Sequence, residues 1–204
     1  MKNKIIAVIG AGGKTTLIHR LAEEYRRKGA SVLVSTTTHM LVEPDTDLSC
    51  DSFAIMEKIK KTGYCMAGAV CPENSAKMQS LPEQMLHDLM KQVDYALIEA
   101  DGAKHYALKY PSEQEPVIPE GTTDVILVLG SWDLGKPCKD VVFRFEHMTS
   151  ALGISGDMKA DKQMLQWIWQ AYEEKLKNMD YQGHFHVLLS EKTDQGLMFL
   201  SPEE

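Results

Sequence analysis

Seven residues near the start of the chain, Gly10-Ala11-Gly12-Gly13-Lys14-Thr15-Thr16, carry the strongest chemical signal in the sequence. They follow an apolar run, Ile5-Ile6-Ala7-Val8-Ile9, and precede a segment in which Leu17, Ile18, Leu21 and Tyr25 recur at helical spacing. Glycines between a buried strand and a helix start let backbone N–H groups turn inward and approach anionic oxygens closely. The helix dipole adds positive potential at the same place. Lys14 would reach the β- and γ-phosphates of a nucleotide, and the hydroxyl of Thr15 would hold Mg²⁺. All seven residues are therefore candidate nucleotide-binding positions for ATP or GTP, and Lys14 is also a candidate catalytic group. Until phosphate arrives, the lysine is expected to stand exposed. The usual spacing G-x-x-x-x-G-K-[ST] would require glycine at Val8, and that glycine is missing. The rival pattern G-x-G-x-x-G fails at Thr15, where its third glycine would fall. It fails again at Ser35-Thr36-Thr37-Thr38, which lacks the acid expected on a ribose hydroxyl.

A second constellation is Ile98-Glu99-Ala100-Asp101-Gly102, where an apolar run ends in two acids. In nucleotide-binding folds of this kind an acid at such a place orients Mg²⁺ or the attacking water. Strand alternation would put Glu99 and Asp101 on one face. Two carboxylates aimed at one spot repel unless a cation sits between them. Asp101 is taken as the metal-side acid and Glu99 as its partner or general base. Thr36, Thr37, Thr38 and His39 end another strand at the edge where open α/β sheets bind ligands. Thr37 joins Thr15 and Asp101 as a candidate metal position. The polar, proline-containing stretch Ala103–Glu120, with Lys104, His105, Lys109, Glu113 and Glu115, is a candidate substrate or partner surface.

These groups need a scaffold, and the periodicity supplies one. Strands are expected at 5–9, 31–35, 64–70, 94–98, 124–129 and 186–189. Helices are expected at 15–28, 54–61, 82–92 and 159–177, the last facing Met164, Leu165, Ile168, Tyr172 and Leu176 inward. Lys109–Pro119, with three prolines, reads as an irregular loop. Alternating strands and helices predict a three-layer α/β/α fold with a mostly parallel sheet, of the P-loop type. At 204 residues one domain spanning 1–204 is expected. The net charge of −7 argues against nucleic acid as a partner, since that binding needs clustered cations. Four scattered cysteines without a C-x-x-C pair read as reduced thiols. No apolar run approaches the ~20 residues of a membrane span, and Met1–Lys4 leads straight into a strand. A cytoplasmic location is the resulting expectation.

The truncated glycine loop resembles that of Mur-type ligases. A wider likeness covers most of the chain. Gly10–Thr16, Thr36–His39, Leu97–Lys104, Lys109-x-Pro111 with Glu115-Pro116-Val117-Ile118-Pro119, Leu134-Gly135-Lys136-Pro137 and Arg144 follow the order seen in the selenium-dependent hydroxylase accessory proteins, the YqeC family. The resemblance implies a P-loop accessory protein. Its nucleotide cycle would serve maturation of a molybdenum hydroxylase, with that enzyme or its cofactor as partner. A small-molecule ligase or kinase, and a non-catalytic nucleotide switch, are the alternatives. Members tend to carry an Asn-Lys-x-Asp-like segment that reads guanine. This chain has Ser190-Glu191-Lys192-Thr193-Asp194, with glutamate in place of the asparagine.

Overall fold

The computed structural model describes residues 3–202. Two compact units interleave along the chain. The first takes residues up to Val8, then Thr15–Gly102 and Val117–Asp124; the second takes Ile9–Lys14, Ala103–Pro116 and the chain from Val125 onward. The elements that lie wholly or mainly in the first unit are β1 (Lys4–Gly10), α1 (Lys14–Arg27), β2 (Val32–Thr36), β3 (His39–Leu41), α2 (Ser52–Thr62), β4 (Tyr64–Met66), β5 (Ala69–Val70), β6 (Lys77–Gln79), α3 (Glu83–Lys91) and β7 (Tyr95–Glu99). Those of the second are β8 (Leu108–Lys109), β9 (Asp124–Gly130), α4 (Cys138–Val141), β10 (Val142–Phe143), α5 (Phe145–Leu152), α6 (Lys162–Asn178), β11 (His184–Thr193) and β12 (Gly196–Leu200). A seven-stranded, mostly parallel sheet has the order β12-β11-β9-β1-β7-β2-β4. With its flanking helices the fold is α/β, in the three-layer class the alternating pattern predicts.

In the first unit β7 pairs in parallel with β1 and with β2, which itself pairs with β4. Only the end of β1 at Lys4 is exposed and every residue of β2 is buried, as a strand covered on both faces requires. Asp94 fastens the start of this ladder. Its carboxylate accepts from the backbone N–H and the hydroxyl of Ser31, at 2.9 and 2.8 Å, and its own N–H donates to the Ser31 hydroxyl. Those hydrogen bonds hold the Asp94 carboxyl below its ordinary value of 3.8. Helix α2 opens on Asp51, whose side chain accepts from the Phe53 and Ala54 N–H groups, and closes on left-handed Gly63. Its Ile55 and Ile59 join Leu86, Leu89 and Met90 of α3 in a core that includes Leu33, Ala96 and Ile98. The stretch 64–70 is two strands where one is expected. β4 belongs to the large sheet, while β5 pairs antiparallel with β6, in the small sheet β3-β6-β5. Apolar periodicity reports that such residues are buried; it carries no information on which sheet they join.

In the second unit α6 buries Met164, Leu165, Ile168, Tyr172 and Leu176, the residues its spacing selects. Burying an aliphatic or aromatic side chain of this size contributes roughly 1.5–3 kcal/mol. Asp161 caps the helix by accepting from the Met164 N–H at 3.0 Å, so it starts at Lys162 rather than at 159. The last expected strand lengthens to His184–Thr193 and turns back as β12, an antiparallel hairpin. Short elements α4 and α5 fill the Cys138–Leu152 stretch, to which the sequence pattern assigns no element.

Candidate functional site

The glycine loop lies in the second unit up to Lys14. Gly12 has a φ of +90°, and a Cβ there would lie 2.5 Å from the Gly130 nitrogen and 2.7 Å from the Ala107 carbonyl oxygen. Only glycine fits a backbone so folded and so closely packed. The Ala11 N–H donates to Val128 O at 2.9 Å, tying the loop to β9. From the far end of the chain, the buried Ser190 hydroxyl donates to the Gly12 carbonyl. Lys14 is not the exposed lysine the sequence suggests. It is 5% exposed, with Nζ donating to Gly10 O at 2.7 Å. A buried ammonium needs acceptors, and the loop provides one from its own backbone.

The acidic strand end belongs to the first unit. β7 stops at Glu99, so strand alternation does not extend to Asp101. Glu99, Ala100 and Asp101 are all buried. Thr15, in the first turn of α1, donates its hydroxyl to Glu99 Oε2 at 2.9 Å. The acid that meets this threonine is thus Glu99. Thr36 donates its hydroxyl to the Glu99 carbonyl at 2.8 Å, and the Thr37 N–H reaches the same oxygen at 3.1 Å. The Thr37 hydroxyl donates instead to Val117 O at 2.7 Å. Thr15 and Glu99 are brought together, whereas Thr37 is directed at the backbone between Pro116 and Pro119. His39 is exposed at the start of β3.

In the second unit three cations lie around the ring of Phe143. Lys104 Nζ lies 5.3 Å from its centroid, Lys109 Nζ 5.9 Å, and the Arg144 guanidinium carbon 5.3 Å. Glu115 bridges two of them, at 2.8 Å from Lys109 and 2.7 Å from Arg144.

The profile of the family described as YqeC protein matches residues 6–146. The chain is 34% identical over 161 residues to a protein of Escherichia coli (strain K12) named uncharacterized protein YqeC, covering 75% of this chain and 62% of that one. The chain belongs to the YqeC family. It spans just under two thirds of that curated relative's length. No solved structure matches it.

The YqeC match takes in the glycine loop, Thr36–His39, Glu99–Asp101 and Arg144, and leaves β11 and β12 outside. Ser190 is the loop contact that sequence reasoning misses, and no local signal points to it, since 178 positions separate it from Gly12. Phe143 is missed for a similar reason: its role is to gather cations from two separate segments. Among the described residues no helix is long and apolar enough to cross a membrane. The four cysteines are free, and burial pushes the Cys65 thiol up to about 11.

Proposed function

We propose that this protein binds a Mg²⁺–nucleoside triphosphate, ATP or GTP, on Gly10–Thr16 and hydrolyses it as an accessory factor for a selenium-dependent molybdenum hydroxylase. The observation that carries the nucleotide reading is the hydrogen bond from Thr15 to Glu99, in the first turn of the helix that Lys14 opens. A hydroxyl and a carboxylate held together are hard oxygen donors, and buried Asp101 adds a second carboxylate. This donor set suits Mg²⁺. Thr15 and Asp101 would hold the ion, which when bound neutralises charge building up on the phosphates. Lys14 would exchange its Gly10 carbonyl for phosphate oxygens, and the loop N–H groups would orient them. Glu99 would order and deprotonate the attacking water once Thr15 turns away from it. The accessory role rests on the family resemblance.

The test is a calorimetric panel of ATP, GTP, CTP and NAD with and without Mg²⁺, repeated on Lys14→Ala. Removing a charge-assisted phosphate contact should weaken triphosphate binding about ten- to a hundredfold with the fold intact. Equal affinity in mutant and parent would overturn the site. Phosphate release without further substrate supports hydrolysis. Turnover only with an added acceptor would instead favour a ligase or kinase, and binding without turnover a switch.

A further inference from the structure

We propose that the indole of Trp132 is the base platform of the nucleotide site, stacking the purine ring of ATP or GTP and favouring purines over pyrimidines. The inference rests on the nucleotide reading of the glycine loop and adds the part of the ligand that lies beyond the phosphates.

The ring stands beside the loop, within the second unit, and each link between them is short. Gly12 packs on Gly130, since a Cβ on Gly12 would lie 2.5 Å from the Gly130 nitrogen. A Cβ on Gly130 would in turn lie 3.0 Å from Cη2 and Cζ3 of Trp132. One residue without a side chain therefore separates the loop from the indole. Hydrogen bonds fix the same spacing. The Ser190 hydroxyl donates to Gly12 O, while the Ser190 carbonyl accepts from the Ser131 N–H at 2.9 Å and from its hydroxyl at 3.2 Å. Ser190 thus ties the phosphate loop to the residue that precedes Trp132. The Leu134 N–H donates to Ser131 O at 3.2 Å and closes a turn around the tryptophan. Trp132 also follows the carboxyl end of β9, and open α/β sheets bind ligands beyond such ends.

The ring's surroundings suit stacking. Trp132 is half-buried, and exposed Lys192 holds its Nζ over the ring, 4.8 Å from the centroid. A face that an exposed lysine can reach is not sealed in the core. A cation–π contact at an exposed site is weaker than a base–aromatic stack, so a base anchored through its phosphates would displace the ammonium. Lys192, in the β11–β12 ladder, has a flexible stem and solvent to move into. Every base presents a π face, so such a platform does not tell adenine from guanine. It does respond to ring size. A bicyclic purine overlaps the bicyclic indole more fully than a single-ring pyrimidine does, and stacks more strongly.

The experiment titrates ATP, GTP, CTP and inorganic tripolyphosphate, each with Mg²⁺, into the full chain and into its Trp132→Ala and Trp132→Phe variants. Tripolyphosphate carries the phosphates without a base. Trp132→Ala should weaken ATP and GTP about tenfold and leave tripolyphosphate within about twofold, while Trp132→Phe, which keeps an aromatic face, restores most of the loss. The parent should bind ATP several-fold more tightly than CTP, and Trp132→Ala should bring that ratio towards one. ATP and GTP should also quench the parent's tryptophan fluorescence, an effect absent with tripolyphosphate and lost in Trp132→Phe. The proposal is overturned if Trp132→Ala leaves ATP affinity unchanged, or lowers ATP and tripolyphosphate alike. CTP binding as tightly as ATP to the parent would overturn the purine class. Failure of the nucleotide reading removes the platform with it and shows differently, as triphosphate affinity that Lys14→Ala does not change.

Discussion

At the scale of single residues, the two acids after the apolar run have different surroundings, and under the proposed function that difference separates their roles. Glu99 closes β7, and its side chain accepts from Thr15 while its carbonyl accepts from Thr36 and Thr37. Asp101 lies beyond the strand and is fully buried. Asp101→Asn is expected to abolish the Mg²⁺ enhancement of triphosphate affinity, because an amide cannot replace a charge facing the ion. Glu99→Gln keeps an acceptor for Thr15 and should leave most of that enhancement, while lowering turnover about a hundredfold. Calorimetry with and without Mg²⁺, beside a phosphate-release assay, distinguishes the two; the opposite pattern would exchange the roles. On the same proposed reading Ser190 would act differently, as a positioning residue. In a planar trans peptide the Gly12 C=O and the Gly13 N–H point opposite ways. By drawing the carbonyl inward, Ser190 turns the next N–H the other way. Ser190→Ala should weaken triphosphate binding about fivefold, the scale of one neutral hydrogen bond, without changing the ratio of affinities measured with and without Mg²⁺. A changed ratio would mean that Ser190 acts on the metal side instead.

At the scale of elements, the β2–β7 ladder carries Thr36 and Glu99 at its far end, and Asp94–Ser31 fixes its start. The Asp94 pKa is depressed, so its contribution to stability is complete above the unfolded-state value and is lost as pH falls through the folded one. Asp94→Asn should accordingly lower the urea midpoint at neutral pH, and the gap to the parent should close as pH drops below about 4. A gap that stays constant with pH would show that the charge plays no part. Elements of this kind were readable in advance wherever burial imposes a period. β1, β2, β7 and the inward face of α6 follow from apolar spacing alone, because each is covered along its length. What the spacing leaves open is pairing. The split at Gly68 between β4 and β5 and the short partners β8 and β10 depend on contacts between separate segments, and the β11–β12 hairpin on pairing across its own turn. The site divides along the same line. Gly10–Thr16 and Glu99–Asp101 announce themselves by residue type, whereas the choice of Glu99 as the partner of Thr15, the inward Lys14 and the Ser190 clamp are products of packing.

At the scale of the whole molecule, the proposed nucleotide reading requires a base to be recognised, and the chain beyond the family match bears on which one. The Gly10–Thr16 loop offers contacts suited to phosphates, so discrimination between ATP and GTP has to come from elsewhere. The segment that would read guanine by resemblance is Ser190–Asp194, and its residues are otherwise engaged. Ser190 is buried on the Gly12 carbonyl. Glu191, Lys192 and Thr193 sit in the β11–β12 ladder opposite Met198, Leu197 and Gly196. Lys192 lies 4.8 Å from the Trp132 ring centroid, and Asp194 is exposed in the turn between the strands. Guanine recognition needs an amide donor at the position of Glu191, and a carboxylate presents an acceptor there. A site built around donors and acceptors rejects a mismatched ligand by large factors, because buried polar groups are left unpaired. With the donor missing and Asp194 in solvent, that rejection has no structural source. ATP is therefore expected to bind about as well as GTP, within roughly 1.4 kcal/mol, or tenfold. Competition of labelled ATP by unlabelled GTP measures this directly. Displacement by GTP at about a hundredfold lower concentration than by ATP itself would refute the prediction and return the β11–β12 turn to the base.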